Sequence, residues 1–324
     1  MSSASLTRGP VRRGLTIIDL ITWLIVLAIL ISILLPSFSR ARELAKRAVC
    51  ASNLQGIGQA LAIYANDNHE RFPQHYYEAL AGAGVPGDHG VTWVGTMGSS
   101  STLSITDATS PSRSPRAGHP SRSLFLLVTA GMATPQMFVC PRSGDLEDNL
   151  RNDSTGGSVG CQPGVTRFDF KGYNSLSYGY QMPFGPAAKP TTKLDVRMVI
   201  AADKGPYYTS GGDGLDGTRT TRDARSPSQP PADWTSRPLN DLLALNPGEW
   251  RRYNSRNHDT EGQNILFVDA HVDFAKKPIY GVNNDNIYTL QDSADDLRRA
   301  LIGMVPTATQ TLGPGVETDS FIVP

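Results

Sequence analysis

The chain has 324 residues, of which 39% are hydrophobic and 19% charged, with 31 glycines and 23 prolines. That is enough for one large domain or two ordinary ones, with much of the chain in loops. Lys plus Arg equals Asp plus Glu at 30 each, which excludes a nucleic-acid binder working through bulk charge and an acid-rich disordered chain. Three cysteines, Cys50, Cys140 and Cys161, are too few for a disulfide scaffold, and without a CxxC pair they argue against a cysteine-built zinc site.

Residues 1–14 carry Arg8, Arg12 and Arg13 and no acid. The next 21 residues, Leu15 to Leu35, are apolar except for the charge of Asp19 and scattered Thr and Ser. At helical rise they span about 30 Å, the thickness of a bilayer's hydrocarbon core. A cleaved signal peptide has a shorter apolar region and a small-x-small site after it, and neither is found here. A helix apolar on every face suits lipid better than a globular interior. Asp19 within it is costly unless it finds a partner, which makes it a functional candidate.

After Pro36 the pattern stays helical. Phe38, Ala41, Ala45, Ala48, Ala51, Leu54, Ile57, Leu61 and Tyr64 recur at steps of three and four, opposite Arg40, Glu43, Arg47 and Gln59. The reading is one helix of roughly 52 residues and 80 Å, apolar all round and then amphipathic, kinked at Pro36. The predicted organisation is a leader at 1–14, a long helix at 15–68 with its membrane span at 15–35, and a loop-rich α+β head at 69–324.

Arg12-Arg13-Gly14-Leu15-Thr16-Ile17-Ile18-Asp19-Leu20 resembles the processing motif of type IV pilins and type II secretion pseudopilins. In that family a membrane peptidase cuts after the glycine and methylates the new N-terminal amine. The resemblance therefore implies cleavage after Gly14, a new N-terminus at Leu15, and assembly through Asp19, whose carboxylate pairs with the amine of a neighbouring subunit. The acid is usually Glu and the first mature residue usually Phe. Pro36 falls where many pilins have a helix-kinking proline. Arg8, Arg12 and Arg13 favour a cytoplasmic N-terminus, whereas Arg40, Arg42, Lys46 and Arg47 argue the opposite, so charge alone does not orient the span. The resemblance orients it, with the head outside the bacterial cytoplasmic membrane.

Farther along, Asp67 to Pro73 reads as a helix stop and turn. Residues 85–123 and 209–238 are Ser-, Thr-, Gly- and Pro-rich and read as exposed loops. Between them, Ser123–Thr129 is apolar, Met137–Pro141 is β-like, and Asn174–Tyr180 and Val196–Ala202 read as strands. Ile265 to Phe274 reads as one long strand, with Leu266, Val268, Ala270, Val272 and Phe274 on one face and Phe267, Asp269, His271 and Asp273 on the other. Asn257 to Asn264 ahead of it reads as a turn, giving a hairpin. Together these resemble the C-terminal signature of a bacterial subgroup of pilin-like proteins, a His followed by a strand ending Asp-Gly-His-Val. Here His258 precedes Asp269 by eleven positions, one more than usual, and Ala270 replaces the glycine. The Cys140-Pro141 pair and the stretch from Asn53 to Leu61 fit the same subgroup.

Asp269, His271 and Asp273 on one strand face offer ligands for Ca²⁺ or a transition metal. A solvated sheet face accounts for them equally simply and is the expectation, so no cofactor is assigned beyond a candidate Ca²⁺. Asn283 to Asn286 supplies further oxygen ligands nearby in sequence. GxGxxG at Gly212–Gly217 and GxSxG around Ser158 lack the strand and helix contexts that give those motifs meaning. Cys140 and Cys161 are candidates for a disulfide, with two unpaired thiols as the alternative, and Cys50 reads as a helix packing residue.

The expectation is an α+β protein in which a long transmembrane and amphipathic N-terminal helix packs on a C-terminal antiparallel sheet, as in pilins. Its expected role is that of a non-enzymatic structural subunit. Its partners would be a prepilin peptidase, the inner-membrane bilayer and other pilin-like subunits, with no nucleic acid. The rival is a single-span anchored envelope protein with a binding head, or a hydrolytic one using His258 with Asp269 or Asp273.

Overall fold

The computed structural model describes residues 14, 16–74, 120–150, 170, 175–183, 190–206, 241, 243–289, 314 and 316–323. Leu15, Ser158, Cys161, the Gly212–Gly217 run, the predicted loop at 209–238 and the predicted loop at 85–123 as far as residue 119 lie outside the described residues, and the last residues of the latter, Pro120–Ser123, are helical rather than loop.

The fold is α+β. Helix α1 covers Ile17–Asp67, Pro36 included, as the sequence predicts to within two residues. The chain divides into two compact units, Met1–Ala45 and Lys46–Pro324. In this division the part of α1 from Lys46 onward goes with the head. The reason is its buried stripe. Cys50, Leu54, Ile57, Leu61 and Ala65 are each 0% exposed and recur at steps of three and four, and each large apolar side chain so buried contributes about 1.5–3 kcal/mol. The helix ends where His69 and Glu70 both adopt left-handed backbone, and Glu70 N–H closes on Ala65 O at 2.8 Å.

The head's sheet has five strands: β1 (Tyr178–Gln181), β2 (Val199–Asp203), β3 (Gln263–Phe267), β4 (Val272–Ala275) and β5 (Ile322–Val323). Their order is β4-β3-β2-β1-β5, and every neighbouring pair is antiparallel. All residues of β2 and β3 are buried, so neither shows the polar/apolar alternation of a half-solvated strand. On one face, Leu266 meets α1 at Gly58, where an added Cβ would stand 2.7 Å from Leu266 Cδ1. On the other, Phe267 meets Tyr280 with ring centroids 5.6 Å apart.

One segment left without a type is a helix, and one predicted element changes type. Residues Ser123–Thr129 belong to helix α2 (Pro120–Thr129), which opens on Pro120 and buries Leu124, Phe125 and Leu127. The β-like Met137–Pro141 segment is a 3-10 turn at Pro135–Phe138 followed by extended Val139. Its Phe138 packs edge-on against Phe170 at 5.0 Å, as Phe125 does at 5.1 Å.

The long strand at 265–274 is the main correction: it is a hairpin of β3 and β4. The chain reverses at Val268–Ala270, where Ala270 N–H donates to Phe267 O at 3.0 Å and Phe267 N–H to His271 O at 3.0 Å. Ala270 takes φ +67°, the left-handed position at which such a turn prefers glycine. Asp269, His271 and Asp273 consequently do not share a strand face. Left-handed backbone costs a residue with a Cβ about 1–2 kcal/mol. Ala270→Gly should therefore stabilise the head by about 1 kcal/mol, measured as a higher urea midpoint with an unchanged slope.

Candidate functional site

The first candidate region is the start of α1. Gly14 is exposed, and among the described residues a Cβ added to it would meet nothing within 4 Å. Thr16 N–H and Oγ1–H donate to Asp19 Oδ2 at 3.0 and 2.9 Å, and Asp19 N–H donates back to Thr16 Oγ1 at 3.2 Å. This is the reciprocal pattern of a capping box, set by the T-x-x-D spacing. The sequence reading missed this partner, although the spacing signals it. Beyond the cap, every large apolar side chain from Ile17 to Leu35 is exposed. Among the described residues, α1 is the one helix long and apolar enough to cross a membrane.

The second region is a buried polar cluster on the α1 side of the sheet. Asp203, at the end of β2, is 0% exposed. Its Oδ2 accepts from Asn264 N–H at 2.6 Å and Asn264 Nδ2 at 3.2 Å, and its Oδ1 from Asn257 Nδ2 at 3.1 Å. His258, in the 3-10 turn Arg256–His258, brings Nε2 to 3.2 Å from Asp203 Oδ2 and 3.0 Å from Asn264 Nδ2. The same nitrogen stands 3.9 Å from Cys140 Sγ.

Cys140 is disulfide-bonded to Cys50, with Cα atoms 5.2 Å apart. This corrects the Cys140–Cys161 pairing and the reading of Cys50 as a packing residue. Cys50 heads the buried stripe of α1, and the turn at Pro135–Phe138 delivers Cys140 to it. Tyr178 O–H donates to Cys50 O at 3.2 Å. Burial first, and then the nearby Asp203, pushes that hydroxyl well above its ordinary pKa, so it remains a donor.

Beside this cluster, Lys204 Nζ and Asp145 Oδ2 form a buried ion pair at 2.8 Å. Asp145 Oδ2 also accepts from Ser177 Oγ at 2.6 Å, and Ser143 Oγ lies 2.8 Å from Ser177 Oγ. The sequence reading missed Asp203, Lys204 and Asp145. Its available signal was a charged pair, Asp203-Lys204, directly after an apolar strand.

The remaining candidates disperse. Asp269 and His271 are exposed at the hairpin tip and bond to each other through Oδ1 and Nδ1. Burial is the largest single influence and pushes the Asp269 carboxyl up, but the hydrogen bonds and charge of His271 together outweigh it and leave the carboxyl below its usual range. Asp273 accepts from Tyr280 O–H at 2.8 Å. The three do not converge on a common point, so the strand-face metal reading loses its geometry. The acid beside His258 is Asp203 rather than Asp269 or Asp273. His258 and Asp203 are 5% and 0% exposed, and the sulfur nearest the ring is held in a disulfide.

The 283–286 segment holds its own buried acid. Asp285 is 0% exposed and accepts from Ser320 N–H at 2.7 Å, while its Oδ1 has no hydrogen-bond partner among the described residues. Burial, and then the charge of Asp319, hold its pKa well above the ordinary 3.8. A raised folded-state pKa means the folded chain binds the proton more tightly than the unfolded one. The stabilisation is complete below about pH 4 and is lost as pH rises through the folded pKa. Asp285→Asn keeps the shape and removes the titration. It should raise the melting temperature at pH 7 more than at pH 4, as read by calorimetry across that range.

No family model, curated protein or solved structure matches the chain.

Proposed function

We propose that the protein is a pilin-like structural subunit. In this reading it is made with a basic leader, cut after Gly14 by a prepilin peptidase, and anchored in the bacterial cytoplasmic membrane by the first part of α1. The head stands on the extracytoplasmic side, and subunits assemble through their N-terminal helices into a pseudopilus or short fibre. One observation carries the reading. Gly14 is exposed with open space at its Cβ among the described residues, which give no packing reason for a glycine there, and two residues on, at the Thr16 cap, begins a helix whose large apolar residues from Ile17 to Leu35 all lack protein cover. Access by a protease does give a reason, because a glycine lets an active site approach the scissile bond.

Asp19 has two roles in this account. Within one chain it caps its own helix through Thr16. In the assembly its carboxylate takes the new N-terminal amine of a neighbour. A buried pair of that kind fixes register more than it adds stability.

Two predictions separate these elements. Gly14→Val should leave an uncut precursor 14 residues longer than the product, whereas the wild-type membrane fraction should yield a chain starting at N-methylated Leu15. Intact mass decides, and a native chain beginning at Met1 overturns the reading. The second concerns the cap. Thr16→Ala should cost only capping, about 1 kcal/mol, and leave subunit crosslinking in membranes intact. Asp19→Ala should abolish crosslinking, and Asp19→Glu should retain it. Equal crosslinking in all three variants would reduce Asp19 to a cap.

A further inference from the structure

Cys50, Cys140 and His258 come from three separate parts of the chain, and their Sγ, Sγ and Nε2 atoms all lie within 4.8 Å of one another. All three residues are buried. Two thiolates and an imidazole are a soft donor set, the kind that selects Zn²⁺ over Ca²⁺ or Mg²⁺. The absence of a CxxC pair does not bear on this site, because α1, the turn at Pro135–Phe138 and the turn at Arg256–His258 bring the ligands together through tertiary structure.

The local geometry is close to what zinc requires. In a tetrahedral site with ligands at about 2.0 Å (N, O) and 2.3 Å (S), a nitrogen stands roughly 3.5 Å from a sulfur and roughly 3.3 Å from an oxygen. Here Nε2 stands 3.9 Å from Cys140 Sγ and 3.2 Å from Asp203 Oδ2. The three clustered ligands leave the fourth position open; Asp203, held by Asn257 and the Asn264 N–H, borders His258 and is not one of the cluster's ligands.

We propose that Cys50, Cys140 and His258 form a redox-gated zinc site: the oxidised chain holds a disulfide there, and the reduced chain holds Zn²⁺. The disulfide takes two electrons and two protons from a dithiol, which itself becomes a disulfide, and gives two thiols. Zn²⁺ then displaces those two protons and binds the thiolates, with neutral His258 donating through Nε2. The two states are mutually exclusive because both use the same sulfur atoms. The chain would carry zinc in a reducing compartment and exchange it for the cross-link in an oxidising one. This inference stands independently of the pilin-like reading.

The test uses the full chain in detergent micelles, in a Cys161→Ser background so that only the cluster supplies sulfur. Oxidised samples and samples reduced with a phosphine are equilibrated with Zn²⁺ and, for spectroscopy, with Co²⁺. The phosphine takes an oxygen from water as it becomes the phosphine oxide. The reduced chain should bind one equivalent of zinc and release two protons per ion. Its Co²⁺ form should show thiolate charge-transfer bands and the intense visible bands of a tetrahedral site, and the oxidised chain should show none of these. His258→Gln keeps both thiols and should weaken zinc binding at least tenfold. Should that variant not fold, the proton count and cobalt spectrum of the His258-containing chain decide the matter. Equal zinc uptake by oxidised and reduced chains, cobalt spectra without thiolate bands, or unweakened binding in a folded His258→Gln chain would each overturn the proposal.

Discussion

A carboxylate with no exposure is the constraint round which the head is built. In a low-dielectric interior Asp203 costs several kcal/mol unless donors surround it. The donors come from residues more than fifty positions away: Asn257, His258 and Asn264. Because Asn264 lies near the start of β3 while Asp203 closes β2, the same hydrogen bonds that satisfy the acid also set the strand register, in which Ala202 lies opposite Ile265. Tyr288 O–H closes the other side by donating to Asp203 O at 2.8 Å. A network satisfied this fully specifies one arrangement of its parts, since any slip leaves buried polar atoms unpaired.

Helix α1 meets a different constraint in each of the two units. From Lys46 onward it carries a one-sided stripe closed by a disulfide. From Ile17 to Leu35 it carries no stripe, since apolar residues occupy every face and all the large ones are exposed. Water tolerates the first pattern and penalises the second by about 25 cal/mol per Å² of apolar surface. A helix of this composition therefore calls for lipid or for other helices. The capping box at Thr16 and Asp19 matters in that setting, because the first N–H groups of a helix have no water to bond once they enter an apolar medium.

The sequence disclosed what depends on near neighbours. The extent of α1, its change from all-round to one-sided apolarity, and its stop at Asp67 follow from spacing and composition within short windows. β2 was visible as an apolar run. The hairpin was hidden because its turn lacks the glycine that announces a left-handed position; Ala270 occupies it, and uninterrupted alternation then imitates one long strand. The Cys50–Cys140 bond and the His258–Asp203 contact were illegible for another reason. Each joins residues whose nearness exists only after the sheet and α1 have packed, and three cysteines allow three pairings with nothing local to rank them. Thr16 and Asp19 were legible and overlooked, since a capping-box spacing lay inside a motif already given another meaning.

The geometry also shows how rigidly the eleven-position separation of His258 and Asp269 is held. The two mark opposite ends of one structural unit: His258 sits at the buried acid, and Asp269 in the turn that reverses β3 into β4. Between them, Gln263–Phe267 cannot absorb an added residue. All five are buried, and a slip of one would exchange the faces that meet α1 and Tyr280. At the strand's start Gly262 is equally confined, since an added Cβ would fall 2.3 Å from Ala275 O. The slack lies at Asp259 and Thr260, both in left-handed backbone at φ 52° and 62° and both outside the ladder. The turn is still tied to the interior at one point, since buried Asn254 Nδ2 donates to Thr260 O at 3.0 Å.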